Sequence, residues 1–372
     1  MSTVLNIAID ASFLAFPNCG IGRYITNLVR EFAAQQSPHR IFLYSSRPFQ
    51  LQFPLPERWK VRTASLRSHR LRTTFEQVIF PIWARKDGID VFWSPINHLP
   101  VLLPSNMRKV FTLHDVVCKR LPQIVPRRYR ATEGLLIPLS IRIADQVIAA
   151  SLFTRSEVLE FYPQARGKID VVYEASNLRT DGATGHCPVS NPYFLFVGSM
   201  EPRKNLKRLL QAYIQYRKLS SCLIDLVIAG TYQWGGFSVI DFIQTNDLQS
   251  CVHVIQNADD TVLRALYAHA QALVMVSLYE GFGLPLVEAM QWGIPLIASN
   301  SSSVAEIAGD AALLVDPCDT DAIAQALRRM AEDPATRSEL ANKARIRGQQ
   351  FNWKKAAAEV MALIVGDLAF AK

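Results

Sequence analysis

Short apolar runs alternate with amphipathic segments along nearly the whole chain. Residues 4–9 (Val-Leu-Asn-Ile-Ala-Ile) have the length and type of a buried strand, and Tyr24 to Ala34 then places Ile25, Leu28, Val29 and Phe32 on one helical face. Further strands are predicted near 41–44, 89–93 and 109–113, with a helix over 74–86. A strand at 146–150 ends in Ser151, whose hydroxyl would cap a helix from Thr154 to Tyr162. Strand 169–173 closes the first half. Residues 174–192 lose the periodicity and carry Asp181-Gly, Thr184-Gly and two prolines, the composition of a linker, set at 176–192.

A second alternation follows, with strands at 193–197, 223–229, 251–255, 272–276, 294–298 and 312–315. Helices are predicted over 204–217, 260–270, 303–308 and 320–332. A βα rhythm repeated in both halves predicts an α/β protein of two doubly wound, Rossmann-like domains, 1–175 and 193–350, with ligands at the carboxyl ends of parallel strands. The last stretch, 351–372, holds an amphipathic segment from Trp353 to Leu368 that is expected to pack back across the domain junction.

One stretch stands out: Ser277-Leu-Tyr-Glu280-Gly281-Phe282-Gly283-Leu284-Pro285-Leu-Val-Glu288-Ala-Met-Gln-Trp-Gly293. It follows the strand 272–276. Pro285 suits the opening of a helix, where a missing N–H costs nothing, and Gly293 would end it. Glu280-Gly-Phe-Gly between them reads as a tight turn that lets a ligand approach the backbone. Free N–H groups at the helix start favour an anion, and a second carboxylate, Glu288, is placed in the first helical turn. A second candidate, Gly198-Ser199-Met-Glu-Pro202-Arg203-Lys204-Asn205, also lies between a strand and a helix. Two adjacent cations at a helix start oppose the macrodipole, and a bound diphosphate would resolve that conflict through forked Arg donors and a Lys point charge. In the first half, Gly20-Ile21-Gly22-Arg23 is read as a loop between strand and helix, either phosphate-cradling or a simple tight turn. His114-Asp115 follows the strand 109–113, where the adjacent carboxylate is expected to orient the imidazole.

Composition narrows the class. With 372 residues, about half of them hydrophobic, the chain is long enough for two cores. Six cysteines are scattered singly, which predicts reduced thiols in a cytosolic protein and no structural zinc. Asp10 within the first apolar run and the lack of a basic leader make the N-terminus a strand rather than a signal peptide. No run reaches the roughly 18 apolar residues of a membrane span. The net charge of +8 is uneven: residues 1–175 hold 23 Lys+Arg against 13 Asp+Glu, the remainder 17 against 19. Two acid-free clusters dominate, Lys60, Arg62, Arg67, Arg70, Arg72 and Lys119, Arg120, Arg127, Arg128, Arg130. With Trp59, Leu71, Phe75 and Tyr129 interleaved, they suit anionic lipid headgroups or a pyrophosphate-bearing acceptor. There is no nucleic-acid motif, no GxSxG, no HExxH, no P-loop, no full GxGxxG and no DxD, so neither nucleic-acid binding nor metal catalysis is indicated.

Taken together, Gly20-Ile-Gly-Arg-Tyr, His114-Asp115, Val197-Gly-Ser-Met-Glu-Pro-Arg-Lys-Asn, Glu280-Gly-Phe-Gly-Leu-Pro-Leu-Val-Glu288-Ala-Met, Ser299-Asn300, Glu306 to Pro317 and Phe351-Asn-Trp353 resemble the retaining glycosyltransferases of family four. The resemblance spans essentially the whole chain and implies a GT-B fold: two Rossmann-like domains facing a cleft, nucleotide-sugar donor mainly on the second, glycan acceptor on the first. It implies that Arg203 and Lys204 hold the donor diphosphate, and that Glu288 accepts hydrogen bonds from the ribose. Glu280 with the N–H groups of Phe282, Gly283 and Leu284 would hold the transferred sugar and its phosphate. His114 would reach that sugar, and the Gly20–Gly22 segment would close near the phosphates or acceptor. Many relatives carry an Arg where this chain has Ser199, so Arg203 must supply more of the positive charge. No cofactor or metal is implied beyond the co-substrate. Overall likeness to bacterial O-antigen and polysaccharide mannosyltransferases points to mannose from GDP-mannose and a lipid-linked acceptor at the inner membrane face. UDP-glucose, UDP-GlcNAc and dTDP-rhamnose are the alternative donors, and a nucleotide-sugar epimerase of the same architecture is the rival enzyme.

Overall fold

In a computed structural model the described residues are 4–369, except 18, 36, 67, 69, 70, 177, 179, 181–184 and 233–236. Arg67 and Arg70 of the first basic cluster, His69, and Asp181-Gly182 and Thr184 of the linker therefore lie outside them. The chain divides into two compact units, Met1–Glu174 with Asn352–Lys372, and Ala175–Phe351.

The first unit runs β1 (Asn6–Asp10), α1 (Gly20–Ala34), β2 (Arg40–Ser45), β3 (Lys60–Thr63), α2 (Arg72–Lys86), β4 (Val91–Ser94), β5 (Arg108–Leu113), α3 (Val117–Arg120), α4 (Arg127–Ile143), β6 (Gln146–Ala149), α5 (Leu152–Phe161) and β7 (Ile169–Val171). Its seven parallel strands lie in the order β3-β2-β1-β4-β5-β6-β7. Alternate residues point to opposite faces, and both faces are covered. Ile7, Ile9, Leu43, Trp93 and Val110 meet Ile25, Leu28 and Phe32 of α1 on one side. Ala8, Phe42, Phe92, Phe111 and Val147 meet Phe80 of α2 and Ile137 and Ile141 of α4 on the other. Doubly buried strands of this kind are apolar throughout, which is why the sequence shows runs rather than alternation.

The second unit runs β8 (Tyr193–Val197), α6 (Leu206–Leu219), β9 (Asp225–Ala229), α7 (Val239–Thr245), β10 (Val252–Ile255), α8 (Asp260–His269), β11 (Ala272–Met275), α9 (Leu284–Gln291), β12 (Leu296–Ser299), α10 (Ser302–Ala308), β13 (Ala312–Val315), α11 (Thr320–Glu332) and α12 (Pro334–Gly348). Its six strands take the order β10-β9-β8-β11-β12-β13. Phe194, Phe196, Leu226, Ile228, Val274 and Ile297 build a core with Leu209, Leu210 and Tyr213 of α6 and Ile323 and Leu327 of α11. The intervening Leu195, Val227, Leu273 and Leu296 are buried as well.

The terminal helix α13 (Trp353–Val365) belongs to the first unit, where Ala357, Val360 and Ile364 join the core beside α1. Arg108 fixes its end by donating from Nε to the Ile364 carbonyl and from Nη2 to that of Leu363, 3.1 Å each.

Three local expectations need correction. Gly20 and Gly22 are not in a loop: they open α1, capped by the Cys19 thiol sulfur, which accepts from the Gly22 N–H at 3.3 Å. Gly22 is glycine because a Cβ there would stand 2.1 Å from the Phe16 carbonyl oxygen. Glu288 lies in the second turn of α9, not the first. Ser151 does cap α5, accepting from the Thr154 N–H at 3.0 Å. The third correction concerns charge. Arg62 pairs with Asp87, and Arg120 with Glu157 and Glu160, so clusters free of acids in sequence acquire them from other elements in space.

Candidate functional site

In each sheet the strand order reverses beside the first strand of the unit: β8 has β9 on one side and β11 on the other. Connections leaving the carboxyl ends of such a pair run in opposite directions and open a crevice where ligands bind in doubly wound folds. In the second unit those connections are residues 198–205, after β8, and 276–283, after β11. They are the two stretches singled out by sequence.

Their backbones are fixed by glycine and asparagine. Gly198 has φ 150°, and a Cβ there would lie 3.6 Å from Lys204 Nζ. Gly230, at the end of β9, would place a Cβ 1.8 Å from the Gly198 carbonyl oxygen, so only glycine fits. Asn205 takes a left-handed conformation, φ 63°, and its amide donates to the carbonyls of Val276 (2.9 Å) and Pro317 (2.7 Å). The Leu278 N–H donates to the Arg203 carbonyl at 2.7 Å. These bonds tie the β8 connection to the β11 connection. Gly283, φ 107°, precedes α9, whose first N–H groups have no intrahelical acceptor.

The charged side chains then converge. Lys204 Nζ stands 2.6 Å from Glu280 Oε1, and Arg203 Nη1 stands 2.5 Å from Glu280 Oε2. Arg203 Nη2 pairs with Glu201 Oε1 at 2.7 Å, and the Ser199 hydroxyl donates to that same oxygen at 2.9 Å. Glu201, Lys204 and Glu280 are buried. Two acids thus balance two bases, with only Arg203 partly exposed. The macrodipole conflict read from the sequence is removed by these carboxylates, and Arg203 and Lys204 sit in a 3-10 turn (Pro202–Lys204) ahead of α6. Burial pushes the Glu280 carboxyl up, but the Arg203 and Lys204 charges outweigh it and hold the group at about 2. Burial also lowers Lys204, against the pull of Glu280. The turn is braced from α10: the Glu280 N–H donates to Ser302 Oγ (3.3 Å), while the Ser303 hydroxyl donates to the carbonyls of Glu280 and Phe282, 2.9 Å each. Glu288 is buried and accepts from the Tyr267 hydroxyl at 2.8 Å.

The structure thus gathers Ser199, Arg203, Lys204 and Glu280 into one bonded cluster, with Phe282, Gly283, Leu284 and Glu288 on the elements that follow Glu280. His114, Gly20 and Gly22 belong to the first unit. There the imidazole is oriented by Glu174, not by Asp115: Nδ1 lies 2.9 Å from Glu174 Oε1, and Nε2 lies 2.9 Å from the Pro95 carbonyl. Asp115 instead accepts from the Val117 N–H at 3.1 Å. Burial pulls the His114 pKa down, yet the Glu174 hydrogen bond and charge prevail and it lies above its usual value. Tyr267, Ser303 and Glu174 were missed as site residues, because each reads as an ordinary cap, core or loop position until the strands bring it in, while Glu201 and Asn205 stood inside the stretch 198–205 without an assigned role. Among the described residues no group of three His, Cys, Asp or Glu could hold a metal ion.

Two parallel doubly wound units, the second with a bonded ion cluster at its switch point, have the GT-B glycosyltransferase architecture. Residues 19–179 match the profile described as Glycosyltransferase Family 4, and residues 186–347 that of Glycosyl transferases group 1. The chain belongs to the family-four glycosyltransferases. It is 29% identical over 370 residues to O-antigen chain mannosyltransferase B of Escherichia coli, covering 94% of this chain and 96% of that protein. O-antigen chain mannosyltransferase RfbU of Salmonella typhimurium is 26% identical over 234 residues, 62% of this chain and 63% of its own length. Sucrose-phosphate synthase from Thermosynechococcus elongatus superposes with a TM-score of 0.75 at 22% identity, covering 99% of this chain and 100% of that one.

Removing the Glu280 charge tests the cluster itself. Glu280→Gln leaves the buried Lys204 without a counter-ion and should cost about 3–5 kcal/mol in urea unfolding at neutral pH. Since the folded group lies below its ordinary 4.5, its contribution is complete above about pH 4.5 and disappears as pH falls toward 2. The stability gap between wild type and variant should therefore close over that window. A gap independent of pH would contradict the pairing.

Proposed function

We propose that the protein transfers mannose, with retention of configuration, from GDP-mannose to a growing lipid-linked surface glycan. The observation that carries the chemistry is the Arg203–Lys204–Glu280 cluster beside the start of α9. The half-buried Arg203 and the buried Lys204 would receive the donor diphosphate, and the Gly283 and Leu284 N–H groups would add dipoles aimed at the same charge. Both Glu280 oxygens face cations, so Glu280 is a stable carboxylate with little nucleophilic character. It suits holding sugar hydroxyls and balancing charge, and the departing phosphate would deprotonate the acceptor. Glu288 would take the ribose hydroxyls. No metal is required by this scheme. The choice of mannose and of an O-antigen-type acceptor rests on the full-length likeness to the Escherichia coli mannosyltransferase.

Among the described residues no helix is long and apolar enough to cross a membrane. Peripheral contact with the inner face of the cytoplasmic membrane is supported by exposed apolar side chains beside cations: Leu71, Val78 and Ile82 along α2, with Arg85 and Lys86 at its end, and Leu135 and Leu139 on α4, which begins with Arg127 and Arg128.

A thermal-shift panel of GDP-, UDP-, dTDP- and ADP-sugars tests the donor: GDP-mannose should raise Tm most, and a larger shift with another nucleotide sugar would replace it. Lys204→Ala should lower turnover by at least about a hundredfold, whereas Glu288→Ala should act mainly on donor affinity. Turnover near wild type in the first, or unchanged affinity in the second, removes the assigned role. Val78→Ser with Ile82→Ser should weaken binding to anionic vesicles on the order of tenfold or more, given about 1.5–3 kcal/mol per buried aliphatic side chain. Vesicle binding indifferent to both that change and added salt would end the membrane reading.

A further inference from the structure

Tyr193, Tyr213, Tyr216 and Tyr267 are all buried in the second unit. A phenol out of water needs a partner for its hydroxyl, and the first three find one in the main chain. Tyr193 donates to the Leu266 carbonyl at 2.7 Å, Tyr213 to that of Ile224 at 2.9 Å, and Tyr216 to that of Cys222 at 2.6 Å. Bonds of this kind fasten one element to the next. Tyr267 makes a different one. From the last turn of α8 it donates to Glu288 Oε2, 2.8 Å away in the second turn of α9. The two helices precede and follow β11, whose carboxyl end leads to the Glu280 turn.

Fastening α8 to α9 does not call for a charge. Leu266 beside the tyrosine and Val287 and Ala289 beside the glutamate are already buried and apolar, and an apolar pair would join two helices without the cost of taking a carboxylate out of water. Glu288 therefore serves something other than packing, which in the reading above is the ribose. A carboxylate accepts only, through two oxygens set in one plane. To receive two adjacent hydroxyls it must hold that plane, and a glutamate ordered only on binding would lose rotamer freedom at that moment. Tyr267 removes this cost during folding. Its ring is fixed by burial, and the residue before it is held by Tyr193, so its hydroxyl sets Oε2 and with it the plane of the carboxylate.

We propose that Tyr267 is a positioning residue for the nucleotide: it orients Glu288 toward a vicinal diol and so makes the second unit selective for ribonucleoside diphosphates. The inference rests on the assignment of Glu288 to the ribose, and adds to it a residue that touches no part of the donor.

Calorimetry on the full chain tests it with GDP and UDP, each beside its 2′,3′-dideoxy analogue. Both nucleotides carry ribose, so the outcome does not depend on which base the protein takes. For the tighter of the two, wild type should prefer the ribose form by about a hundredfold, the scale of hydrogen bonds to a charged group. Tyr267→Phe, which keeps the ring, should weaken the ribose form by about tenfold and leave the dideoxy form unchanged. Because both forms are measured on the same protein, a general loosening of the fold cancels in their ratio. In a Glu288→Ala background, where no carboxylate is left without its donor, Tyr267→Phe should change neither affinity. Equal weakening of both forms, a ratio still at its wild-type value, or a further loss of the ribose form in the Glu288→Ala background would overturn the positioning role and leave the ribose assignment standing. A wild type that binds both forms equally, or neither, would refute the ribose assignment and this inference with it.

Discussion

The second unit depends on a buried ion cluster placed where its strand order reverses. Glu280 reaches Lys204 and Arg203, and Arg203 reaches Glu201, so the ends of β8 and β11 are held by charge where the hydrophobic core cannot extend. Taking these groups out of water is expensive, and the cluster persists because backbone geometry over-determines it. Asn205 in its left-handed turn, Gly198, and the contact that forces Gly230 to be glycine set where the two loops must run. The core of apolar strands then acts as the rigid base for that geometry.

A cation pair kept with its counter-ion also has a chemical consequence. A free arginine and lysine would be solvated and mobile, and a diphosphate would have to dehydrate and order both. Here Lys204 is buried and both side chains are ordered by Glu280 during folding, so under the proposed reading they would meet a developing charge with little reorganisation. Ser199 fits the same logic. It bonds the Glu201 oxygen that orients Arg203, and so helps to aim that guanidinium.

The sequence made the strand runs, the Pro285 start and the Gly293 stop legible because each depends on local rules: burial on both faces, a missing N–H, and a positive φ. It also placed Arg203, Lys204 and Glu280 at strand ends. It could not show that they touch, since the 75-residue-plus separation between the two loops is closed only by the sheet order. The short edge strand β3 and the α4 helix went unread for different reasons. β3 is largely exposed, with little apolar signal, while α4 carries Gly134 and Pro138 inside it. The reading of Gly20 and Gly22 failed because a glycine required by a carbonyl packed against a helix looks, in sequence, like one required by a loop.

His114 shows the same limit in sharper form. Adjacency pointed to Asp115, but a residue and its successor on an extended strand end point in different directions, and Asp115 is drawn back to cap the next turn. Glu174, which closes the first unit's main span, supplies the carboxylate instead. With acceptors facing both ring nitrogens, the imidazole is best satisfied when doubly protonated, in line with its raised pKa. An imidazole with both ring nitrogens already engaged is poorly suited to act as a base. It is well suited to fix the backbone from Pro95 to Asp115, and through Asn97 to set the position of Glu133. The residue read from the sequence as oriented by its neighbour Asp115 is thus, in the folded first unit, held between Glu174 and the Pro95 carbonyl and bonded through its N–H to Asn97.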